Sequence, residues 1–149
     1  MAVLLGIDLG YKRIGLALSD IEETFAVPLD IHQYRDKNEF IEHLRGLISS
    51  RNIQKLVFGL PLNADGTEGK KAKETIKYVE DISLYIAKPM ILWDERYTTQ
   101  EATARLETFT KRKKIKKYLD AVAAQLILQS YIDNHIYLDV PGIRVINAH

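Results

Sequence analysis

GIDLGYKRIGLALSD, residues 6–20, is an apolar run broken by one acid, a glycine turn carrying two basic residues, and a second apolar run. Val3 to Leu9 is apolar at nearly every position, the pattern of a strand covered on both faces of a sheet. Gly10 and its neighbours turn the chain, and Arg13 to Ser19 reads as the hairpin partner of the first run. Asp8 therefore falls inside a central strand. An ionised carboxylate there is costly unless it is paired or bound to metal. Three readings follow from this stretch alone. Asp8 is satisfied by Arg13 or by backbone N–H groups, or it holds a metal ion, or the glycine turn cradles a nucleotide phosphate.

Working outward, Phe25 to His32 reads as a third strand, with Pro28 favouring the sheet edge. Asp36 can cap a helix whose inner stripe is Phe40, Ile41, Leu44, Leu47 and Ile48. Lys55 to Leu60 is a short apolar strand, followed by the loop PLNADGTEG. Thr67 could cap the next helix, with Ala72, Ile76, Val79, Ser83 and Ile86 inward. Met90 to Trp93 is the next strand. Thr98 and Glu101 have capping-box spacing for a helix with Ala102, Leu106 and Phe109 inside. Leu119, Val122, Ala123, Leu126 and Ser130 set a final helix against the core. Three strands in meander followed by strand–helix crossovers give an α/β fold with a mixed five-stranded sheet flanked by helices. Residues 1–138 make one domain, and residues 139–149 look like a C-terminal tail.

The 149 residues suit a single domain with a core of its own. The absence of cysteine excludes a disulfide framework and any thiolate metal site, and fits a reducing cytoplasm. The N-terminal apolar run is broken by Asp8 and lacks a basic flank, unlike a signal peptide. No stretch approaches the ~20 apolar residues of a membrane span. Net charge is +1, yet KRKKIKK gathers Lys111, Arg112, Lys113, Lys114, Lys116 and Lys117 in one run. A mildly acidic body bearing one basic strip points to a polyanion reached locally. A solvated surface run is the plainer reading, and a basic loop gripping a nucleic-acid backbone is the stronger one.

Two further acids stand where a ligand site would form. Glu95 closes the strand ILWDE, and ligands of open α/β sheets gather at the carboxyl ends of parallel strands. Asp120 begins the last helix, where capping is its plain role. Its neighbours Ala123 and Ala124 would let that helix end lie close to a strand. Three separated acids that can converge at one sheet end suit Mg²⁺ or Mn²⁺, which prefer oxygen ligands. The four histidines show no metal-ligand spacing and read as structural or surface residues. Tyr11, Tyr97 and Trp93 could stack on bases, although core or hairpin packing is the plainer role.

With these elements placed, four segments resemble the YqgF/RuvX family of RuvC-like nucleases in the RNase H-like superfamily. They are GIDLGYKRIGLALSD, VFGLPLNADGTEG, DERYTT with the following EA, and DAVAAQLILQSYI, spread over residues 4 to 132 in the family's order. The resemblance implies an RNase H-like fold and identifies Asp8, Glu95 and Asp120 as the catalytic, metal-binding acids. It sets Lys12, Arg13 and Arg96 on basic positions that contact phosphates, unless they pair with Asp8, Asp20 or Asp94. It implies a metal-dependent endonuclease acting on nucleic acid. The family is associated with processing the 5′ end of the 16S ribosomal RNA precursor and has also carried the label of Holliday junction resolvase. Tyr97 departs from the family's common apolar residue, and the fourth acid of many related nucleases has only Asp94 as a candidate.

Two rivals remain in view. GIDLG also resembles the first phosphate motif of the actin, Hsp70 and sugar-kinase group, but that group clasps ATP between two such domains, and no second copy is present. A non-catalytic nucleic-acid-binding or ribosome-assembly module would keep the fold without turnover. Symmetric cutting of a four-way junction would need a homodimer, a state on which the sequence is silent.

Overall fold

In a computed structural model that describes residues 2–97, 119–134 and 143–146, the acid-broken run is the central strand. β1 (Val3–Leu9), β2 (Arg13–Ser19) and β3 (Ala26–Gln33) form the antiparallel meander. Asp36 caps α1 (Lys37–Arg51), its carboxylate accepting from the Glu39 N–H at 2.8 Å. β4 (Ile53–Leu60) then pairs parallel with β1. After α2 (Lys70–Ser83), β5 (Met90–Asp94) pairs parallel with β4 and runs into a 3₁₀ turn, Glu95–Tyr97. α3 (Leu119–Asn134) follows. The five expected strands lie in the order β3-β2-β1-β4-β5, with Pro28 on the edge strand as its missing N–H requires.

Three expectations need correction. The sheet has a sixth strand, β6 (Ile143–Ile146), formed within the segment read as a tail and antiparallel to β5. Without it the outer edge of β5, a strand buried at every position, would lack backbone partners. The four residues IRVI were too short to announce a strand by period. Thr67 does not cap α2, whose N-cap is Gly69. Its hydroxyl instead donates to Asp65 at 2.6 Å and accepts from the Asn63 amide at 2.9 Å, so it stiffens the 61–69 loop. The inner face of α3 is Ala121, Ala124, Ile127, Leu128 and Tyr131, rotated from the expected stripe, and Val122, Ala123 and Leu126 are only part-buried. An apolar residue falls at nearly every position of LDAVAAQLIL, so periodicity could not choose the face. The helix expected from Thr98 to Phe109 lies outside the described residues.

Strand alternation divides the apolar side chains between two cores. Leu5, Ile7, Leu56 and Phe58 point to the side covered by α1 and α2, with Phe40, Leu44, Ile76 and Val79. Leu4, Val57, Ile91 and Trp93 point to the side covered by α3. Two positions on from Gly6, Asp8 takes the α3 side. Among the described residues, no helix is long and apolar enough to cross a membrane.

Candidate acidic site at the carboxyl end of the sheet

Three elements bring acids to one end of the sheet on the α3 side. Asp8 lies near the end of β1, opposite Gly15 of β2. Asp120 is in the first turn of α3, which presses onto β2 so closely that a Cβ at Gly15 would overlap the Asp120 carbonyl. The small residue that permits this approach is therefore on the strand, not at Ala123 or Ala124 alone. Glu95 opens the turn after β5 and folds its carboxylate back over Gly59 of β4, where a Cβ would collide with Glu95 Oε1. Gly59 thus keeps the space that the Glu95 carboxylate fills.

The basic residues sort themselves differently. Arg13 pairs with Asp120 rather than Asp8, its Nε 3.1 Å from Oδ2. Arg96 clasps the fully buried Asp94, donating from Nε at 3.1 and 2.9 Å and from Nη2 at 2.7 Å. The Arg96 backbone N–H adds a fourth bond to Asp94 at 2.9 Å, and Nη1 reaches the Ala64 carbonyl at 3.2 Å. Asp94 is consequently held as a structural acid, and Arg96 fastens the 61–69 loop to the end of β5. Gly66 sits beside this guanidinium at φ 89°, a conformation that needs glycine. Lys12 is exposed at the tip of the first turn. Trp93 is core, with its indole N–H donating to Ser130 at 3.0 Å, whereas Tyr11 is 75% exposed. The Tyr97 side chain and the whole run Lys111, Arg112, Lys113, Lys114, Lys116, Lys117 lie outside the described residues.

One residue near the acids escaped the sequence reading. Lys71, in the first turn of α2, is close enough for its charge to lower the pKa of both Asp8 and Glu95, partly offsetting what raises them. Its Nζ stands 5.5 Å from the centre of the Tyr11 ring. A lysine in the KK pair opening a surface helix has no sequence signal that separates it from solvated neighbours. Only the meeting of the α2 N-terminus with the end of β1 could reveal it.

Burial and like charge govern the acids. Burial first, and the Asp120 charge second, push the Asp8 carboxyl up to about 6. Burial, then Asp8, push Glu95 to about 7. Two carboxyls that repel across a partly desolvated gap are oxygen donors suited to a hard divalent cation, which would relieve the repulsion. Asp8 and Glu95 fit such an ion, and Asp120 would have to exchange Arg13 for it. Among the described residues, no three His, Asp or Glu side chains are already gathered tightly enough to share one ion.

The raised values fix a pH dependence. Both acids bind protons more tightly in the folded chain than at their ordinary values of 3.8 and 4.5. The contribution of these two acids to the stability of the metal-free protein is therefore complete below about pH 4, falls as pH rises through about 7, and then levels. At ~1.4 kcal/mol per unit, the expected loss is on the order of 3 kcal/mol for each acid. Urea denaturation across this range in a chelator should show the decline, and Asp8→Asn should make it shallower, leaving the part that burial of Glu95 imposes. An equal slope in both proteins would mean that these acids are not in conflict.

Comparison with known proteins gives three findings. The sequence profile of the RuvX family, described as Holliday junction resolvase, matches residues 2–134. A protein of Methylocella silvestris named "Putative pre-16S rRNA nuclease" is 39% identical over 131 residues, covering 87% of this chain and 81% of the relative. One of the same name from Clostridium acetobutylicum is 39% identical over 132 residues, covering 88% of this chain and 98% of the relative. Among solved structures, Thermus thermophilus RuvC in complex with a Holliday junction substrate superposes with a TM-score of 0.57 at 14% identity, over 89% of this chain and 96% of that one. The fowlpox virus resolvase bound to Holliday junction DNA gives 0.53 at 11% identity, over 90% and 99%. At such identities the structures share the fold with this chain: the RuvC-like, RNase H-like sheet expected from the sequence.

Proposed function

The chain belongs to the RuvX family, and from that premise we propose that it is a divalent-metal-dependent endonuclease processing the 5′ end of pre-16S ribosomal RNA. The nuclease class follows from the family and from the names of its relatives. The observation that carries the mechanism is the pair Asp8 and Glu95, part-buried at one sheet end, with both carboxyls raised first by burial and then by a neighbouring acid, Asp120 for Asp8 and Asp8 for Glu95. In this reading Asp8 and Glu95 would hold Mg²⁺ or Mn²⁺, and Asp120 would close the site from α3. The bound ion would supply a nucleophilic water at neutral pH and offset charge on the phosphoryl group.

The remaining work falls to the chain's own cations. Arg13, which pairs with Asp120 at the rim beside Lys12, would be free for the phosphate backbone if Asp120 served the ion instead. Arg96 keeps its grip on Asp94 and positions the loop beside the site. The run from Lys111 to Lys117 adds sequence-independent affinity through counterion release. A ribosomal RNA precursor as substrate puts the site of action in the cytoplasm. Resolution of four-way DNA junctions is the second reading, favoured by the description of the matching family, and it would require two copies of the chain.

The purified protein should be offered, in parallel, a structured RNA carrying the precursor 5′ end and a four-way DNA junction, each with Mg²⁺ or Mn²⁺. Cleavage of the RNA alone, absent in Asp8→Asn, is the expected result. Cleavage of the junction alone would move the assignment to resolution. Binding of RNA without cleavage would leave a non-catalytic assembly module.

A further inference from the structure

On the opposite side of the same sheet end, between α2 and the β1–β2 turn, lies a cavity of about 250 Å³. Leu9 and Ile14 form its apolar floor, and Tyr34 and Tyr78 stand in its wall as an edge-on pair 6.2 Å apart. Tyr11 and Lys71 form the rim. We propose that this cavity receives one unpaired nucleobase of the strand whose backbone reaches the acids. The proposal rests on the nuclease reading and names the part of the substrate that lies beside the cut.

Four observations converge on a base. The first is size. Pockets for complete organic ligands run from about 300 to 1,000 Å³, so a cavity of about 250 Å³ suits a single ring system rather than a whole nucleotide cofactor. The second is surface. Three tyrosines over an apolar floor present ring faces and edges, and stacking on aromatic rings tolerates every base. The third is polarity. Glu74 at the edge can accept from a base N–H, and the Tyr78 hydroxyl, which donates to Tyr34 at 3.2 Å, stays protonated because burial raises its pKa far above the ordinary value. Among the described residues the one lysine in the lining, Lys71, is at the rim, so the interior has no cradle for phosphate. The fourth is continuity. Leu9 and Gly10 directly follow Asp8, and Lys71 faces both the cavity rim and the acids.

Tyr11 is the closing element. Its ring is 75% exposed, and the hydroxyl bond that anchors it to Glu74 is long at 3.5 Å. With so weak an anchor and Lys71 beside it, the ring can swing to lie against an incoming base. A paired base would bring its partner along, and a cavity for one ring system has no room for two. The substrate is accordingly single-stranded or unpaired at this point.

The test uses the full chain in metal-free buffer and a short labelled single-stranded RNA, followed by fluorescence anisotropy. An abasic position is walked through the strand. One position should weaken binding roughly ten-fold, the scale of a single stacked base. Tyr11→Ala should weaken the intact strand by a similar factor and erase the penalty at that position, whereas Tyr11→Phe should retain both. Tyr34→Leu provides a second probe from inside the cavity. Equal affinity wherever the base is missing, or a penalty unchanged in Tyr11→Ala, would overturn the proposal. The cleavage assay separates the two readings. Metal-dependent cleavage without an abasic penalty removes the base pocket alone, and an abasic penalty without cleavage removes the nuclease reading alone.

Discussion

Asp8→Asn should abolish metal-dependent cleavage and, in metal-free buffer near neutral pH, raise the melting temperature. The two effects have one cause. In the folded chain Asp8 is held near its titration point by burial and by Asp120, and its own charge raises Glu95 in turn. Asparagine keeps the shape, removes the part-buried charge and relieves Glu95 of its repulsion. Removing about 2 kcal/mol of such conflict should raise the melting temperature by about 4–8 °C in a domain of this size. The loss of cleavage should exceed the ~10–100-fold typical of disturbing an outer partner of a metal ligand, because a donor to the ion itself is gone. Added Mg²⁺ should raise the melting temperature of the wild type and leave the variant nearly unmoved. Calorimetry with and without the ion checks the thermal shifts, and the RNA cleavage assay checks the loss of activity. A variant that melts below the wild type at neutral pH would show that Asp8 is satisfied by the fold and has no need of a cation.

The parts of this arrangement that the sequence disclosed are those with a local signature. Asp8 stands out because a carboxylate interrupts a run that is otherwise apolar, and Glu95 because it ends a strand. Asp120 carried the weakest signal of the three, since a first-turn acid on a helix is ordinarily a cap and only its small neighbours hinted at a close approach to the sheet. Partner choice had no such signature. A reading of the hairpin offers Arg13 to Asp8, and only the seating of α3 on Gly15 brings Asp120 to it. Asp94 looked like a spare metal acid until Arg96, two residues on, curled back over it. Lys71 was hidden in a lysine pair, and the α3 face was hidden in a helix apolar nearly all round. β6 was hidden by brevity. In most of these cases the deciding interaction joins segments far apart in the chain, or depends on a close approach that periodicity does not encode.

That close approach yields the largest expected effect on stability. Gly15 sits opposite Asp8 in the β1–β2 ladder, and α3 begins directly above it. A Cβ at Gly15 would overlap the Asp120 carbonyl and lie 2.9 Å from the Ala121 nitrogen. Both obstacles are backbone, so no rotamer change can make room. Gly15→Val must therefore lift the first turn of α3 from the sheet. That motion draws Asp120 away from Asp8, breaks the Arg13 pair and loosens Ala121 and Ala124 in the α3 core. Overpacking against movable side chains costs about 1–3 kcal/mol, and a clash with backbone on both sides should reach about 3 kcal/mol or more. Gly46→Ala is the matched control. Gly46 is exposed within α1, and a methyl group there would meet nothing within 4 Å, so the extra carbon should stabilise the helix by about 0.5–1 kcal/mol. Urea midpoints of the two variants should move in opposite directions from the wild type. Any Gly15→Val protein that still folds should have lost cleavage, because the acid on α3 no longer faces the acid on β1. An unshifted midpoint for Gly15→Val would mean that α3 does not rest on β2, and the acids would then have to be gathered in another way.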